Sequence, residues 1–428
     1  MASSPKSYAL HDSLYGGIRF DQPFAALIEA PVTQRMRHVR LSNIDSLDMP
    51  GIANLSRYEH VLGVAHLAGL VGFRSKLTSF EALALDGAAL LHDWAITSFG
   101  HLVEEAFQFS GASFHHEAHL ASLSAGEQDS DVLGLDRQIL AGRELGLRSW
   151  AERSTSSPRE ADRLVQTISD YIEGKGRLGK IIAGTIDLDN IDNVTRMAYH
   201  LGIVRSGELA TQLAKSIVDV DPDTGAPVFS DGASEAIAAW LETRRLVYNF
   251  LMLSKRDFAG KVMLLFATVS AYDAGEIKPA DWSWTDGEFY SALRKSEVAA
   301  TRDAADRWYT GELWEMAPLS WFSGSRPSYV DMKRFSTELT DHLQRPFFAY
   351  GIKDKRDRRL TLNISGRGPV AFGTDSDQWL LGFGSPTRQP IPRREVEKGW
   401  AFAETFFASR RLSHAHFDAS GGEAAWLI

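Results

Sequence analysis

Polar, metal-binding side chains interrupt the most apolar helical segments of this chain. His60 lies where apolar residues recur at helical spacing, so that His60, Val64 and Leu67 share one face. The adjacent pair His92 and Asp93 ends a long apolar run. Burying such groups costs free energy unless they bind a ligand or one another. Because a catalytic divalent cation needs converging imidazoles and carboxylates with one coordination position open, the pattern predicts a buried metal site.

One His-Asp pair is weak evidence for such a site. The N-terminal pair His11 and Asp12 lies in a polar segment without a helical pattern, and we interpret it as incidental. The pair His92 and Asp93, taken alone, would equally fit two core residues that bond to each other. Further candidates on helical sequence are His101, His116, Glu117 and Asp189.

Several segments, in this order and spacing, resemble the deoxynucleoside triphosphate triphosphohydrolases, the dGTPase branch of the HD superfamily. They are residues 34–41, 50–60, 91–93, 99–101, 115–117 and 186–192, followed by Arg196 and residues 200–203. The resemblance covers roughly residues 15–205 and is fainter beyond them. It implies a mainly α fold, an HD-domain helical bundle with a helical C-terminal extension and a small antiparallel β unit near the C-terminus.

The resemblance also implies the metal ligands, which are His60, His92, Asp93 and Asp189 in this sequence. We expect one divalent ion. A ligand set of nitrogen and carboxylate oxygen is compatible with manganese, iron, magnesium, nickel or zinc, so the sequence does not choose between them.

The same resemblance implies the catalytic residues. His101 corresponds to the family's catalytic histidine, Glu104 to the acid that orients it, and His116 to a further histidine of the relay. The spacing of His101 and Glu104 supports this, since side chains three residues apart share a helix face. Arg57 corresponds to an arginine that contacts substrate phosphates, which suits a bidentate guanidinium.

Departures from the family pattern concern the substrate pocket. Ile96 and Asn190 stand where relatives carry polar or basic phosphate contacts. Asn193 replaces a tyrosine that packs on the sugar, Met197 an aspartate that binds the sugar hydroxyl, and Arg40 a glutamine that reads the sugar. The hydrolytic centre is complete while the deoxyribose pocket is altered. We therefore expect a modified nucleotide, a monophosphate or another phosphoester, for which Arg40, Asn190 and Asn193 would line the pocket.

A later helical segment resembles the family's substrate wall. Tyr248 and Arg256 lie in it, and the resemblance implies that they contact the nucleotide.

Two other interpretations remain open. His101 and either His116 or His115 would be ligands of a second metal if the site were binuclear, as in HD cyclic-nucleotide phosphodiesterases and some di-iron oxygenases. A degenerate HD protein that binds nucleotides as a sensor is the other alternative, given the substitutions at Ile96, Asn190 and Asn193.

Composition and charge exclude several other classes. The 428 residues include no cysteine, which excludes disulfides and thiolate metal ligands and fits a cytoplasmic protein. No apolar run reaches membrane-spanning length, so no membrane partner is expected. The net charge of −9 argues against nucleic acid as the main partner.

Residues 353–359 are locally basic. We interpret them as solvated charge, with a regulatory nucleotide or oligonucleotide site as the alternative. The family resemblance suggests a homo-oligomer.

The chain divides by composition into four parts. Residues 1–20 are a polar N-terminal arm, and residues 21–205 the HD core with a polar insertion or lid at 121–160. Residues 206–345 form a helical extension, and residues 346–428 the β-containing unit.

Local patterns predict further elements. Residues 22–41 read as one helix, and the glycine- and lysine-rich residues 174–180 as a turn, because they lack the Ser/Thr and the preceding strand of a phosphate-binding loop. Residues 360–364, 370–372 and 379–383 alternate like a small antiparallel sheet.

Overall fold

The computed structural model describes residues 8–42, 47–125 and 147–415. The fold is mainly α-helical with small sheets, most of them near the C-terminus, which confirms the predicted fold class. Most of the predicted insertion falls at residues 126–146, outside the described residues. Within the described ranges no helix combines the length and apolar character needed to cross a bilayer.

The helices of the N-terminal half include those that position the candidate site. They are α1 (Gln22–Ile28), α2 (Pro31–Arg35), α3 (Pro50–Ala53), α4 (Arg57–Leu70), α5 (Ser79–Leu91), α6 (His101–Phe109), α7 (His116–Ala125), α8 (Leu147–Ser154), α9 (Pro158–Ile172), α10 (Gly179–Ile182), α11 (Leu188–His200) and α12 (Glu208–Ser216). The later helices are α13 (Ser234–Leu253), α14 (Lys255–Asp273), α15 (Asp286–Lys295), α16 (Ala299–Thr310), α17 (Tyr329–Leu343) and α18 (Arg393–Phe406).

The strands form a hairpin and two small sheets. They are β1 (Tyr8–Asp12), β2 (Gly16–Phe20), β3 (Ile217–Val220), β4 (Pro227–Phe229), β5 (Glu315–Met316), β6 (Ser320–Ser323), β7 (Phe348–Lys353), β8 (Leu360–Ile364), β9 (Gly368–Phe372), β10 (Gln378–Ser385) and β11 (Arg411–His414). The hairpin pairs β1 with β2. One sheet has the order β3-β4-β8-β9, and the other β11-β6-β10-β5 with β7 also paired to β10.

The three helices that carry or directly precede the predicted metal ligands begin at well-defined caps. The Ser56 side chain accepts a hydrogen bond from Glu59 N at the start of α4. Thr78 and Glu81 form a reciprocal capping box at the start of α5. Asp187 accepts a hydrogen bond from Asn190 N at the start of α11. These caps fix where each helix begins and hence which side chains face the site.

The N-terminal region departs from the predicted pattern. Residues 8–20 form the β1–β2 hairpin, whose Ile18 is buried against the helical core. The single helix predicted for residues 22–41 is two helices and a 3₁₀ turn. Pro31 disfavours helical backbone at the preceding residue, and Ala30 indeed has an extended ψ of 137°.

The C-terminal half packs helices against the two small sheets. Strands β8 and β9 pair antiparallel, as predicted, whereas β10 belongs to the other sheet, where it pairs antiparallel with β6 and β7. Most of the tryptophans of this half lie in the core, including Trp282, Trp321 and Trp379. They stabilise the fold through buried area rather than forming an exposed stacking surface.

Candidate metal centre

Three of the predicted metal ligands converge at the junction of α4, α5 and α11. His60 Nε2 lies 3.0 Å from Asp189 Oδ1 and 3.2 Å from His92 Nε2. His92 Nε2 lies 3.8 Å from the same Asp189 oxygen. Metal–nitrogen bonds of about 2.1 Å place neighbouring ligand atoms about 3 Å apart, so this spacing is close to what a shared ion requires. His60, His92 and Asp189 could therefore hold a divalent cation.

Asp93 lies at the edge of this group. Its Oδ2 is 3.6 Å from His92 Nε2 and 3.9 Å from His60 Nε2. The same oxygen accepts a hydrogen bond of 2.6 Å from Arg57 Nη1. Arg57 also donates to the carbonyl oxygens of Leu41 and Arg40, at 3.2 and 3.3 Å. The arginine predicted to contact phosphates thus points at the centre, where it balances the charge of a predicted ligand.

The charges of the centre are paired inside the protein. Burial opposes a proton on His60, but hydrogen bonds to Asp189 and Asp192 raise its pKa to about 9. Burial raises the pKa of Asp189, yet His60 and His92 lower it overall. Burial also raises the pKa of Asp93, and the adjacent Arg57 charge brings it well below its usual range. Both carboxylates are consequently ionised and suited to a cation.

Contacts on the far side of each imidazole fix its orientation. His60 Nδ1 lies 3.1 Å from Asp192 Oδ2, and His92 Nδ1 lies 2.9 Å from the Ala89 carbonyl oxygen. Because both acceptors take the Nδ1 proton, the Nε2 atoms of both rings face the site. Sequence reasoning gave no role to Asp192, although its position three residues after Asp189 on one helix was a usable signal.

A second group of polar residues adjoins the first. Glu104 accepts from two imidazoles: its Oε2 lies 2.7 Å from His101 Nδ1, and its Oε1 lies 3.0 Å from His116 Nδ1. The backbone N–H of His116 also donates to Glu104 Oε1, at 2.8 Å. The side chain of His101 is 49% exposed, whereas those of Glu104 and His116 are 6% exposed. His101 can therefore meet a substrate while Glu104 holds its ring.

The two groups are connected through His116. Its Nε2 lies 3.5 Å from Asp93 Oδ1. Burial opposes a proton on His116, but Glu104 raises its pKa to about 9, and the pKa of Glu104 lies far below its usual range although burial raises it. The ligand atoms of His101, Glu104 and His116 lie close enough together to hold a cation of their own.

A strained turn sets the position of His101. Phe99 and Gly100 both have positive φ, 53° and 59°, immediately before α6 begins at His101. A Cβ atom on Gly100 would lie 2.7 Å from Arg57 Nη2. The glycine therefore permits both the backbone conformation and the approach of Arg57 to the turn.

A pocket of about 110 Å³ lies over the centre. Its lining includes Arg57, His92, Asp93, His101, His116, Glu117, Asp189 and Asn193. Ligand sites for larger molecules usually enclose about 300 Å³ or more, so this volume suits a metal and a phosphoryl group. Of the residues predicted to line a substrate pocket, Asn193 and Arg57 are part of this lining. The Asn190 amide instead donates to Asp187 Oδ1, at 2.9 Å.

The remaining predicted substrate residues lie farther out. Arg40 forms an ion pair of 3.0 Å with Asp286 and stacks on Phe99, so its charge is already balanced. Arg256 forms an ion pair with Asp48, and its side chain is 59% exposed. Neither arginine is among the residues that line the pocket.

A different arginine accompanies Tyr248 on α13. The Arg244 guanidinium lies 4.4 Å from the centre of the Tyr248 ring. Arg244 is 5% exposed, and its Nε and Nη1 atoms have no hydrogen-bond partner among the described residues. Burial and the Asp189 carboxylate raise the pKa of Tyr248, but the charges of Arg244 and Lys355 lower it overall. Arg244, which sequence reasoning missed, lies four residues before Tyr248 and so shares its helix face.

Similarity to known proteins covers slightly under half of the chain. No protein-family model matches it. It is 29% identical over 217 residues to deoxynucleoside triphosphate triphosphohydrolase SAMHD1 of Danio rerio, covering 45% of this chain and 33% of the relative. It is 27% identical over 219 residues to the SAMHD1 homolog of Dictyostelium discoideum, covering 47% of this chain and 38% of the relative. An uncharacterised protein of Methanocaldococcus jannaschii is 23% identical over 193 residues, covering 45% and 34%.

These similarities confirm the resemblance to the deoxynucleoside triphosphate triphosphohydrolases that the sequence motifs indicated. The chain spans only about a third of the length of the curated relatives it matches.

Proposed function

We propose that this chain is a metal-dependent phosphohydrolase that acts on a nucleotide or modified nucleotide phosphoester. The observation that carries the proposal is the convergence of His60, His92 and Asp189 beside the His101 and Glu104 pair. One cluster could hold a cation, and the neighbouring partly exposed imidazole could move a proton. The similarity to deoxynucleoside triphosphate triphosphohydrolases supports the same class of reaction.

The metal would be held by His60, His92, Asp93 and Asp189. When bound, a divalent ion neutralises phosphoryl charge and lowers the pKa of water. Asp93 reaches this set through its Oδ2, which Arg57 already orients. The role of Arg57 would be to hold that carboxylate and to add positive charge beside the phosphoryl oxygens.

Proton transfer would fall to His101. Glu104 accepts from its Nδ1 and so keeps Nε2 available toward the pocket. His116 binds the other oxygen of Glu104 and thereby fixes that carboxylate. In this arrangement His101 exchanges a proton with the ester oxygen, and Glu104 and His116 position it.

The sugar pocket would differ from that of the family. Met197 is buried in a small apolar cluster with Leu41 and Val247, so no carboxylate is offered to a sugar hydroxyl there. Ile96 is fully buried and offers no polar side chain to the phosphates. The Asn190 side chain donates to Asp187, the residue that caps its helix. These three positions favour a substrate other than an ordinary deoxynucleoside triphosphate.

The buried Arg244 supports an anionic substrate. A guanidinium with two unpaired nitrogens in the interior is costly, and an anion in hydrogen-bond reach would offset the cost. Tyr248 lies beside Arg244, and the Asp189 carboxylate acts to raise the pKa of Tyr248. We therefore expect a phosphate chain that extends from the metal centre to approach Arg244.

The test is phosphate or polyphosphate release from a panel of nucleoside mono-, di- and triphosphates, with sugar- and base-modified compounds included and manganese added. We expect release by the wild-type protein and none by Asp189→Ala. Asp223→Ala, an exposed aspartate on the β3–β4 loop, is the matched control and should match wild type. Turnover of plain dATP or dGTP at rates equal to those of the modified compounds would contradict the altered pocket. No release at all would contradict the hydrolase.

A binuclear centre is the second candidate. The specific observation for it is that His101, Glu104 and His116 also form a group able to hold a cation. That would indicate an HD phosphodiesterase or a di-iron oxygenase. Metal stoichiometry separates the candidates: one ion per chain supports the mononuclear phosphohydrolase, two ions support the binuclear site, and none indicates a nucleotide-binding sensor. A homo-oligomer and a cytoplasmic location remain expectations.

A further inference from the structure

A buried network extends away from the metal centre behind His60. Asp192 binds His60 Nδ1 and is itself held by two donors of Arg196: Nε to Oδ2 at 2.9 Å and Nη2 to Oδ1 at 3.0 Å. His60, Asp192 and Arg196 are each 0% exposed. Because the Asp192 carboxylate is closed off from solvent, its protein partners set its position.

The N-terminal hairpin supplies the outer partners of this network. Tyr15 Oη donates to Asp192 Oδ1 at 3.0 Å. Arg196 Nη1 donates to Asp12 Oδ2 at 2.9 Å. The other Asp12 oxygen accepts from the backbone N–H groups of Leu14 and Tyr15, at 2.8 and 2.9 Å, which ties it to the turn between β1 and β2.

Buried charges connect the hairpin to the metal centre. Asp12 is 4% exposed, so its charge is neutralised inside the protein by Arg196. Arg196 therefore lies between two carboxylates, one facing His60 and one belonging to the hairpin. A Cβ atom on Gly63 would lie 2.2 Å from Asp192 Oδ1, so α4 approaches the network closely at that residue. The pair His11 and Asp12 is not a second metal motif, but Asp12 is not incidental either.

We propose that the β1–β2 hairpin is a positioning element of the metal centre, in which Asp12 and Tyr15 hold Asp192 and Arg196 so that His60 presents Nε2 to the metal. The inference rests on the proposed metal centre and adds residues from outside the ligand set. A carboxylate on the far side of a ligating imidazole fixes its tautomer and raises its basicity, and such partners are commonly worth 10- to 100-fold in metal affinity.

The experiment measures Mn²⁺ affinity by calorimetry in the full chain. It also measures the tautomer of His60 by ¹⁵N NMR in the metal-free protein at a pH above the His60 pKa of about 9, where the ring carries a single proton. We expect Asp12→Asn to weaken Mn²⁺ binding about 10-fold, the low end of what a partner of a metal ligand is worth, and Tyr15→Phe to weaken it less, by a few-fold. Both variants should also raise the fraction of His60 that carries its proton on Nε2. Asp21→Asn, an exposed aspartate after β2, is the control and should leave both quantities unchanged.

The outcomes separate this inference from the proposed function. If wild-type protein binds Mn²⁺ and both hairpin variants match its affinity and tautomer, the positioning role is overturned while the metal centre stands. If wild-type protein binds no divalent ion, both are overturned. Tyr15→Phe keeps the ring and removes only the hydroxyl, so it provides the test even if Asp12→Asn does not fold.

Discussion

Arg57 illustrates how a single residue balances charge in this centre. It is 5% exposed and forms a 2.6 Å ion pair with Asp93, while two backbone carbonyl oxygens accept from its Nε and Nη2. In the metal-free protein it is a close counter-charge for a buried carboxylate. When a divalent ion binds beside Asp93, the ion supplies positive charge as well.

We therefore expect Arg57→Gln to destabilise the protein by about 3 kcal/mol in EDTA, the low end of what breaking a buried pair costs, and by less in saturating Mn²⁺. Urea unfolding of wild type and variant under both conditions measures the difference. Arg74→Gln is the matched control, because Arg74 forms a 2.6 Å pair with Asp86 that is more exposed, at 28% and 24%, and is not part of the pocket lining. The Arg74→Gln variant should lose little stability, by the same amount in EDTA and in Mn²⁺. Equal losses of stability for Arg57→Gln in EDTA and in Mn²⁺ would contradict the role of Arg57 as the counter-charge of Asp93.

Individual site residues could be predicted to different degrees. The ligands His60, His92 and Asp189 could be proposed because each stands on a recognisable motif. Asp12 could not, since its partner Arg196 is 184 residues away and no local periodicity links the two. A side-chain pair that crosses from a hairpin to a helix depends on the tertiary fold alone.

At the scale of elements, the close approach of α4 and α11 makes the network behind His60 possible. The Cβ of an alanine at position 63 would lie 2.2 Å from Asp192 Oδ1 and 2.3 Å from Arg196 Nη2. The other glycine near the end of α4, Gly69, has no atom within 4 Å of its virtual Cβ and is exposed. One helix thus offers two glycines with opposite surroundings.

Gly63→Ala should displace Asp192 and Arg196, destabilise the protein and weaken Mn²⁺ binding about 10-fold, as for a lost partner of a metal ligand. Gly69→Ala should stabilise it by up to about 1 kcal/mol through helix propensity and leave the affinity unchanged. Thermal unfolding and calorimetry on both variants provide the measurements. A Gly63→Ala protein that gains stability and keeps its affinity would show that the helices can separate without cost.

Elements were predictable where a pattern is local. The apolar periodicity around His60 lies within the helix that it predicts, α4. The partners of the strands were harder to predict. Residues 379–383 belong to a different sheet from residues 360–364, because β10 pairs with β6 and β7, which precede β8 in the sequence. Sequence alternation indicates a strand but carries little information about its partner.

At the scale of the whole molecule, distant segments bring positive charge to one side of the metal centre. Lys355 Nζ lies 5.9 Å from the Tyr248 ring, on the side chain that Arg244 also contacts. Burial and the charge of Arg244 lower the pKa of Arg358, while the Asp187 carboxylate acts to raise it. The basic segment interpreted as solvated charge therefore reaches α13 and the start of α11. A chain of net charge −9 thus has a local cationic wall, which we define as Arg244, Lys355 and Arg358.

If this wall binds the substrate's distal phosphates, Arg358→Gln should raise KM for the best nucleotide substrate about 10-fold and leave kcat within a factor of two. A lost charge-assisted hydrogen bond costs about 1.5 kcal/mol or more, which corresponds to that factor in binding. The salt dependence of KM should also become weaker, because one screened attraction is removed. Arg359→Gln, the exposed neighbour in the same segment, is the control and should match wild type. A fall in kcat at unchanged KM would instead assign Arg358 to the reacting phosphoryl group. Equal KM and kcat for the Arg358→Gln and Arg359→Gln variants would show that the segment is solvated surface charge.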